Sequence, residues 1–260
     1  MRQEDPQMTD FNYQLYSSRN FGPLEDTLGM LAAAGYTGVE GFGGLYESSS
    51  DSELSAFRRQ LDAVGLTMPS GHFSLALVED TPERAIEIAR TLGMTSLFVP
   101  FLMPDDRPSD AGGWAAFGAR LARAGAPLRE AGFGFGWHNH DFEFKPLADG
   151  SVPMTHLLEA APDLAWEADI AWIARGGADP FEWIDRYGAQ MHAAHVKDIA
   201  PEGEKADEDG WSDVGLGVLP WDRLLPALRK ADVTHFVMEH DNPSDDARFA
   251  RVSIDNARKL

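Results

Sequence analysis

Residues Phe133–Phe144 read FGFGWHNHDFEF. The first half is an apolar run interrupted by Gly134 and Gly136, which reads as a buried strand. The second half sets two imidazoles, an amide and two carboxylates between His138 and Glu143. Each buried polar group must find a partner or cost roughly 1–3 kcal/mol, so a packed strand has no structural need of so many. Enzymes on parallel sheets keep their chemistry at the carboxyl ends of strands. If that is the logic here, other strands should end in the same way.

Upstream of this fifth strand lie four others: Phe11–Tyr16, Gly38–Phe42, Thr67–Leu75 and Ser96–Pro100. Amphipathic helices separate them at Leu24–Ala34, Ser52–Val64, Pro82–Leu92 and Ala111–Ala131, followed by Gly35, Gly65, Gly93 and Gly132 as helix stops. Downstream, a helix at Met154–Ala161 leads to a sixth strand, Leu164–Asp169, and a helix at Pro180–Tyr187 to a seventh, Met191–Val196. An acidic, Gly-containing loop, Pro201–Gly217, and a helix at Pro220–Lys230 precede the eighth strand, His235–Glu239, and a last helix from Ser244. Eight strand–helix alternations without a break in composition predict an α/β fold, a single (β/α)8 TIM barrel over residues 1–260, with residues 1–10 as a flexible tail. An open doubly wound sheet is the alternative, but no GxGxxG follows the first strand.

The totals agree. The 260 residues suit one barrel, and 43% are apolar, enough for a large core. With no cysteine, disulfides, thiolate metal sites and thiol nucleophiles are excluded. A formal charge of −20 repels nucleic acid and anionic lipid. No apolar run approaches a membrane span, and the start, MRQEDPQMTD, has no signal-peptide core, so a soluble cytoplasmic protein is expected.

The strand ends are polar, as the barrel requires. Gln14 lies in the first strand, Glu40 in the second, and His72 near the end of the third; His138, His140 and Glu143 follow the fifth. Glu167 and Asp169 are two apart in the sixth and share a face. His195 ends the seventh, with Lys197 beyond it, and Glu239 ends the eighth. So many carboxylates and imidazoles at one mouth call for a divalent cation to organise them, and a set without thiolates suits Mn²⁺, Mg²⁺, Co²⁺ or Fe²⁺ better than structural zinc. His192 and His235 begin strands and read as structural, and His156 lies on a helix.

Taken in order, YQLYSSR (Tyr13–Arg19), GVEGFG (Gly38–Gly43), GHFSL (Gly71–Leu75), WHNHDFEF (Trp137–Phe144), DIAW with GGADP (Asp169–Pro180), HVKD (His195–Asp198), DVGLGVLPW (Asp213–Trp221) and MEHD (Met238–Asp241) resemble the xylose-isomerase-like sugar phosphate isomerase/epimerase superfamily. The resemblance implies one divalent metal, Mn²⁺ first and Zn²⁺ among the alternatives, held by ligands from the last four strands. Asp169, His195 and Glu239 carry over directly. The family's fifth-strand Glu aligns with His138, and Glu143, five residues on, is expected to fold back as the fourth ligand, with His138 the alternative.

The resemblance further implies proton abstraction next to a carbonyl through a metal-stabilised enediolate, with His138, His140 and Glu239 moving protons. Isomerisation or epimerisation of a sugar is the first expectation. Elimination from a keto-sugar, 3-keto-glycoside or inosose is the second, because relatives with a fifth-strand histidine include inosose dehydratase. Gln14 and Asn139 are expected to read hydroxyls, Lys197 to meet an oxyanion and Trp172 or Trp137 to stack on the sugar. Glu40 and His72 complete the expected substrate contacts. Few Arg or Lys near the mouth argue mildly against a phosphorylated substrate. No nucleic acid or membrane partner is expected, and a homo-oligomer is left open. A phosphodiesterase acting on abasic DNA and a sugar-binding barrel without activity are the rival readings.

Overall fold

The computed structural model describes residues 10–260, so the expected flexible tail lies, apart from Asp10, outside the described residues. In chain order the strands are β1 (Phe11–Gln14), β2 (Gly38–Phe42), β3 (Thr67–His72), β4 (Ser96–Val99), β5 (Gly134–His138), β6 (Ala165–Asp169), β7 (Met191–Val196), β8 (Asp198–Ile199), β9 (Trp211–Ser212) and β10 (His235–Met238). Eight of them close a barrel in the order β1-β10-β7-β6-β5-β4-β3-β2, all pairs parallel. This is the (β/α)8 barrel the alternation predicts. β8 and β9 form a separate antiparallel ribbon, β8 just before the acidic segment and β9 inside it, where a loop is expected.

The helices wrap the outside. Gly35, Gly65 and Gly93 take positive φ at the ends of α1 (Leu24–Ala34), α2 (Asp51–Val64) and α4 (Pro82–Leu92), which favours glycine over residues with a Cβ. β3 stops at His72, short of the expected Leu75, and a short helix, α3 (Leu75–Asp80), begins there. The long helix expected over Ala111–Ala131 is divided into α5 (Ala111–Ala124) and α6 (Ala126–Glu130). At the junction a Cβ on Gly125 would lie 2.0 Å from the Phe135 ring. Pro127 follows, where its missing N–H is harmless at the start of the second helix.

The apolar core fills the layer between barrel and helices; Leu28, Leu97, Trp137, Leu157, Ile170 and Leu224 belong to it. Inside the barrel the apolar cluster is small: Phe98, Ala165 and Ala193. Buried polar side chains occupy much of the rest, including Gln14, Glu40, Glu167 and His195, all 0% exposed. A barrel that gives up interior apolar packing for polar groups must satisfy them with one another. No helix among the described residues is long and apolar enough to cross a membrane.

Candidate functional site

Strand register assembles the site. His138 of β5 pairs with Glu167 of β6, and Asp169 of β6 pairs with His195 of β7, so inward positions of three successive strands are neighbours. Glu239 follows β10, whose pairing with β7 sets Val237 beside His195. One potential ligand atom from each of His138, Asp169, His195 and Glu239 lies within 4.8 Å of the others, and the same holds for His72, His138, Glu167 and His195. All six residues are buried.

His195 spans the two groups. Its Nδ1 is 3.0 Å from Glu239 Oε2 and 4.0 Å from Asp169 Oδ2, while its Nε2 is 2.8 Å from Glu40 Oε1 and 3.4 Å from Glu167 Oε2. His72 Nε2 is 2.6 Å from Glu167 Oε2 and 3.2 Å from Glu40 Oε1. Lys197 Nζ donates to Asp169 at 3.3 Å and Glu239 at 2.9 Å and pairs with Asp241 at 2.8 Å.

These contacts set the charges. Burial opposes ionisation of Glu40 and Glu239, but His72 and His195 around the first, and Lys197 and His195 around the second, hold both carboxyls well below the usual range. Burial also opposes protonation of His195 and His72; carboxylates outweigh it, raising His195 well above an ordinary imidazole and His72 to about 10. His138 behaves oppositely: burial, then repulsion from His195 and His72, depresses it and keeps it neutral. Its Nδ1, 3.3 Å from Glu167 Oε2, has no hydrogen-bond partner among the described residues.

A cavity of about 850 Å³ opens above the cluster. His72, His138, His140, Glu239 and Asp241 line its chemical end; Tyr16, Phe42, Phe73, Phe101, Trp172 and Trp211 supply aromatic walls. Asp209 and Trp211 bring the acidic segment to the wall. Asp198 shapes this region by accepting backbone N–H bonds from Ile199, Gly215, Gly217 and Leu219 at 2.9–3.1 Å. Arg19 and Arg175 also line the cavity, so the mouth is less poor in arginine than expected. Both donate to backbone carbonyls, Arg19 to Asp241 at 2.6 Å and Arg175 to Asp209 at 2.8 Å.

Several expected roles change. Glu143 does not fold back: its Oε1 accepts from Trp137 Nε1 at 2.8 Å and its Oε2 from His140 N at 2.9 Å, and it belongs to neither ligand group. His138 stands in that place. Gln14, Glu40, Asn139 and Lys197, expected against substrate, are fully buried and do not line the cavity. Asn139 instead binds the backbone of Asp169 and accepts from Trp166 Nε1 at 2.8 Å. Trp137, bound to Glu143, packs on Phe117 of the helix layer. Trp172 and His72 do reach the cavity. Arg19 and Arg175 carry no local signal, since arginines on short helices or turns are common surface residues.

The pattern of the xylose isomerase-like TIM barrel family matches residues 28–260. The chain belongs to that family. Among solved structures, this xylose isomerase-like barrel is similar to a sugar phosphate isomerase/epimerase from Parabacteroides distasonis, with a TM-score of 0.80, 21% identity, and 96% of this chain and 94% of the other covered. It is similar to a probable 3-DHS dehydratase, AsbF, from Bacillus anthracis, with a TM-score of 0.72, 13% identity and coverage of 95% and 98%. It is similar also to the IolI protein with a bound zinc atom, with a TM-score of 0.70, 15% identity and coverage of 96% of both chains. At such identities the likeness carries the fold and leaves the reaction to the site. No curated protein sequence matches the chain.

Proposed function

We propose that the chain is a divalent-metal-dependent enzyme that isomerises or epimerises a sugar or cyclitol by removing a proton next to its carbonyl. The observation that carries this reading is the convergence of His138, Asp169, His195 and Glu239 beneath a cavity walled by aromatic rings. Two carboxylates and two imidazoles form a donor set for Mn²⁺, Co²⁺, Fe²⁺ or Zn²⁺. The unpartnered His138 Nδ1 fits it, because a buried nitrogen without a partner is costly unless something binds there. When bound, the cation supplies Lewis-acid polarisation of a substrate carbonyl.

The remaining work falls to side chains on the cavity. Trp172 and Phe101 flank His140, with ring centroids 5.4 and 5.1 Å away, and offer flat faces for a sugar ring. His140 lines the cavity, and in this reading it takes and returns the proton at the carbon next to the carbonyl; burial, with Lys197 nearby, lowers its imidazole to about 3 and so keeps it in the neutral form a base needs. Glu239 reaches the same space from β10 and can orient a hydroxyl while acting as ligand. Lys197 balances Asp169 and Glu239 from behind.

Turnover lost on EDTA treatment and regained with Mn²⁺ tests the metal. Deuterium from solvent entering recovered substrate or product tests the proton abstraction; its absence during turnover would sink the enediolate route. A second reading, elimination of a β-leaving group from a keto-sugar or inosose, is favoured by an imidazole, His140, on the cavity beyond the end of β5, since a neutral imidazole that has taken the carbon proton can hand it on to a departing group. Release of water or an aglycone in place of an isomer would select it.

A further inference from the structure

Glu40 sits where no substrate reaches: it is 0% exposed and lies below the cavity floor. Its neighbours grip it through strand register, Gln14 and Ser70 being directly paired with it from β1 and β3. Oε1 accepts from Gln14 Nε2 at 2.7 Å, and Oε2 accepts from Ser70 Oγ at 2.5 Å. Held from both sides, Glu40 points across the barrel, with Oε1 2.8 Å from His195 Nε2. His72 is not its chief partner, because Glu167 lies closer to that ring, 2.6 Å against 3.2 Å.

A histidine that ligates a cation through one ring nitrogen carries its proton on the other, and that N–H needs an acceptor. His195 turns Nδ1 to Glu239 and Asp169 and turns Nε2 to Glu40. We propose that Glu40 is a positioning residue: it accepts the His195 Nε2–H, fixing the tautomer and ring angle that present Nδ1 to a cation shared with His138, Asp169 and Glu239. This inference rests on the metal-site reading above. It gives a buried carboxylate on β2 a task that neither substrate contact nor core packing explains.

The test compares the parent with Glu40→Gln, which keeps the side-chain shape. Zn²⁺ binding by calorimetry should weaken roughly 10–100-fold in the variant, the range for loss of a partner behind a metal-bound histidine. In Zn²⁺-loaded parent protein labelled with ¹⁵N-histidine, His195 should show a protonated Nε2 and a metal-bound Nδ1. In the variant the Nε2 proton should exchange faster. Equal affinities in parent and variant, or a parent in which His195 binds through Nε2, would overturn the assignment. The spectrum needs only the parent, so a poorly folding variant does not shelter the idea. A parent that takes up no Zn²⁺ or Mn²⁺ overturns the metal-site reading and this inference with it; equal affinities overturn this inference alone.

Discussion

Asn139 holds the backbone of Asp169 at two points: its Oδ1 accepts the Asp169 N–H at 3.0 Å, and its Nδ2 donates to the Asp169 carbonyl at 3.1 Å. Asp169 Oδ1 in turn accepts from Trp172 N at 2.8 Å, so the carboxylate caps the next helix as it faces the cluster. One amide thus fixes the strand end that carries a proposed ligand. Asn139→Leu removes both bonds at similar volume and leaves the Asp169 groups and the Trp166 indole without their buried partner. We expect a loss of about 1–3 kcal/mol for each such group left unsatisfied and weaker metal binding. Denaturant melts and Mn²⁺ titration of the folded variant measure the two effects separately. Unchanged metal affinity would show that this clamp serves folding alone.

Lys197 Nζ stands within 3.3 Å of Asp169, Glu239 and Asp241. Without it, the buried carboxylates of Asp169 and Glu239 and the half-buried one of Asp241 face one another. Lys197→Met should destabilise the metal-free protein by about 3–5 kcal/mol, the usual cost of removing one partner of a buried pair. A divalent cation restores positive charge at the same place. The Mn²⁺-induced rise in melting temperature should therefore be larger in the variant than in the parent. Equal rises in the two proteins would contradict the proposed overlap of Lys197 with the cation's charge.

Glu143 governs a pH effect away from the ligands. Burial pushes its carboxyl from 4.5 up to about 8, partly offset by the Trp137 and His140 N–H groups and by attraction to Arg107. A carboxyl raised in the folded state binds its proton more tightly there than in the unfolded chain. Its contribution to stability is complete below pH 4.5 and is lost as pH rises through about 8. Glu143→Gln cannot lose a proton, but its amide NH₂ must face one of the two donors, costing about 1 kcal/mol. The variant should melt lower than the parent at acid pH, and the gap should narrow as pH rises through that window. Melting curves across the window check this, and a constant gap would refute it.

The barrel and the positions of Asp169, His195 and Glu239 are legible in the sequence because a parallel strand has one functional end, and alternation tells which residues share a face. Glu143 was harder to place. Five residues across a turn leave its direction open, and the deciding group is an indole on the helix-facing side of the same strand. Gln14, Asn139 and Lys197 carry groups that bind a sugar hydroxyl and a protein carboxylate equally well. Burial chooses between those roles, and burial depends on packing from strands distant in sequence. The break at Gly125 is of the same kind, since Phe135, a strand residue, occupies the space a side chain would need. The β8–β9 ribbon is not legible in the sequence because each strand is two residues long and shows no alternation.

Arg175 is the arginine whose removal should separate binding from chemistry. Its guanidinium lies 3.2 Å from the Trp211 ring centroid and 5.4 Å from that of Trp172, and it donates to the Asp209 carbonyl. It therefore braces two cavity walls that come from different segments, the helix after β6 and the loop carrying β9. Among the described residues its hydrogen bond and ring contacts go to Asp209, Trp211 and Trp172, none of them a proposed ligand. Arg175→Ala should loosen the Asp209–Trp211 wall and raise KM, with kcat changing much less, because an interaction made equally in ground and transition states shows in KM. Limited proteolysis should cut the Pro201–Gly217 segment faster in the variant, and saturating substrate should slow that cleavage. A fall in kcat at unchanged KM would instead place Arg175 against the reacting atoms.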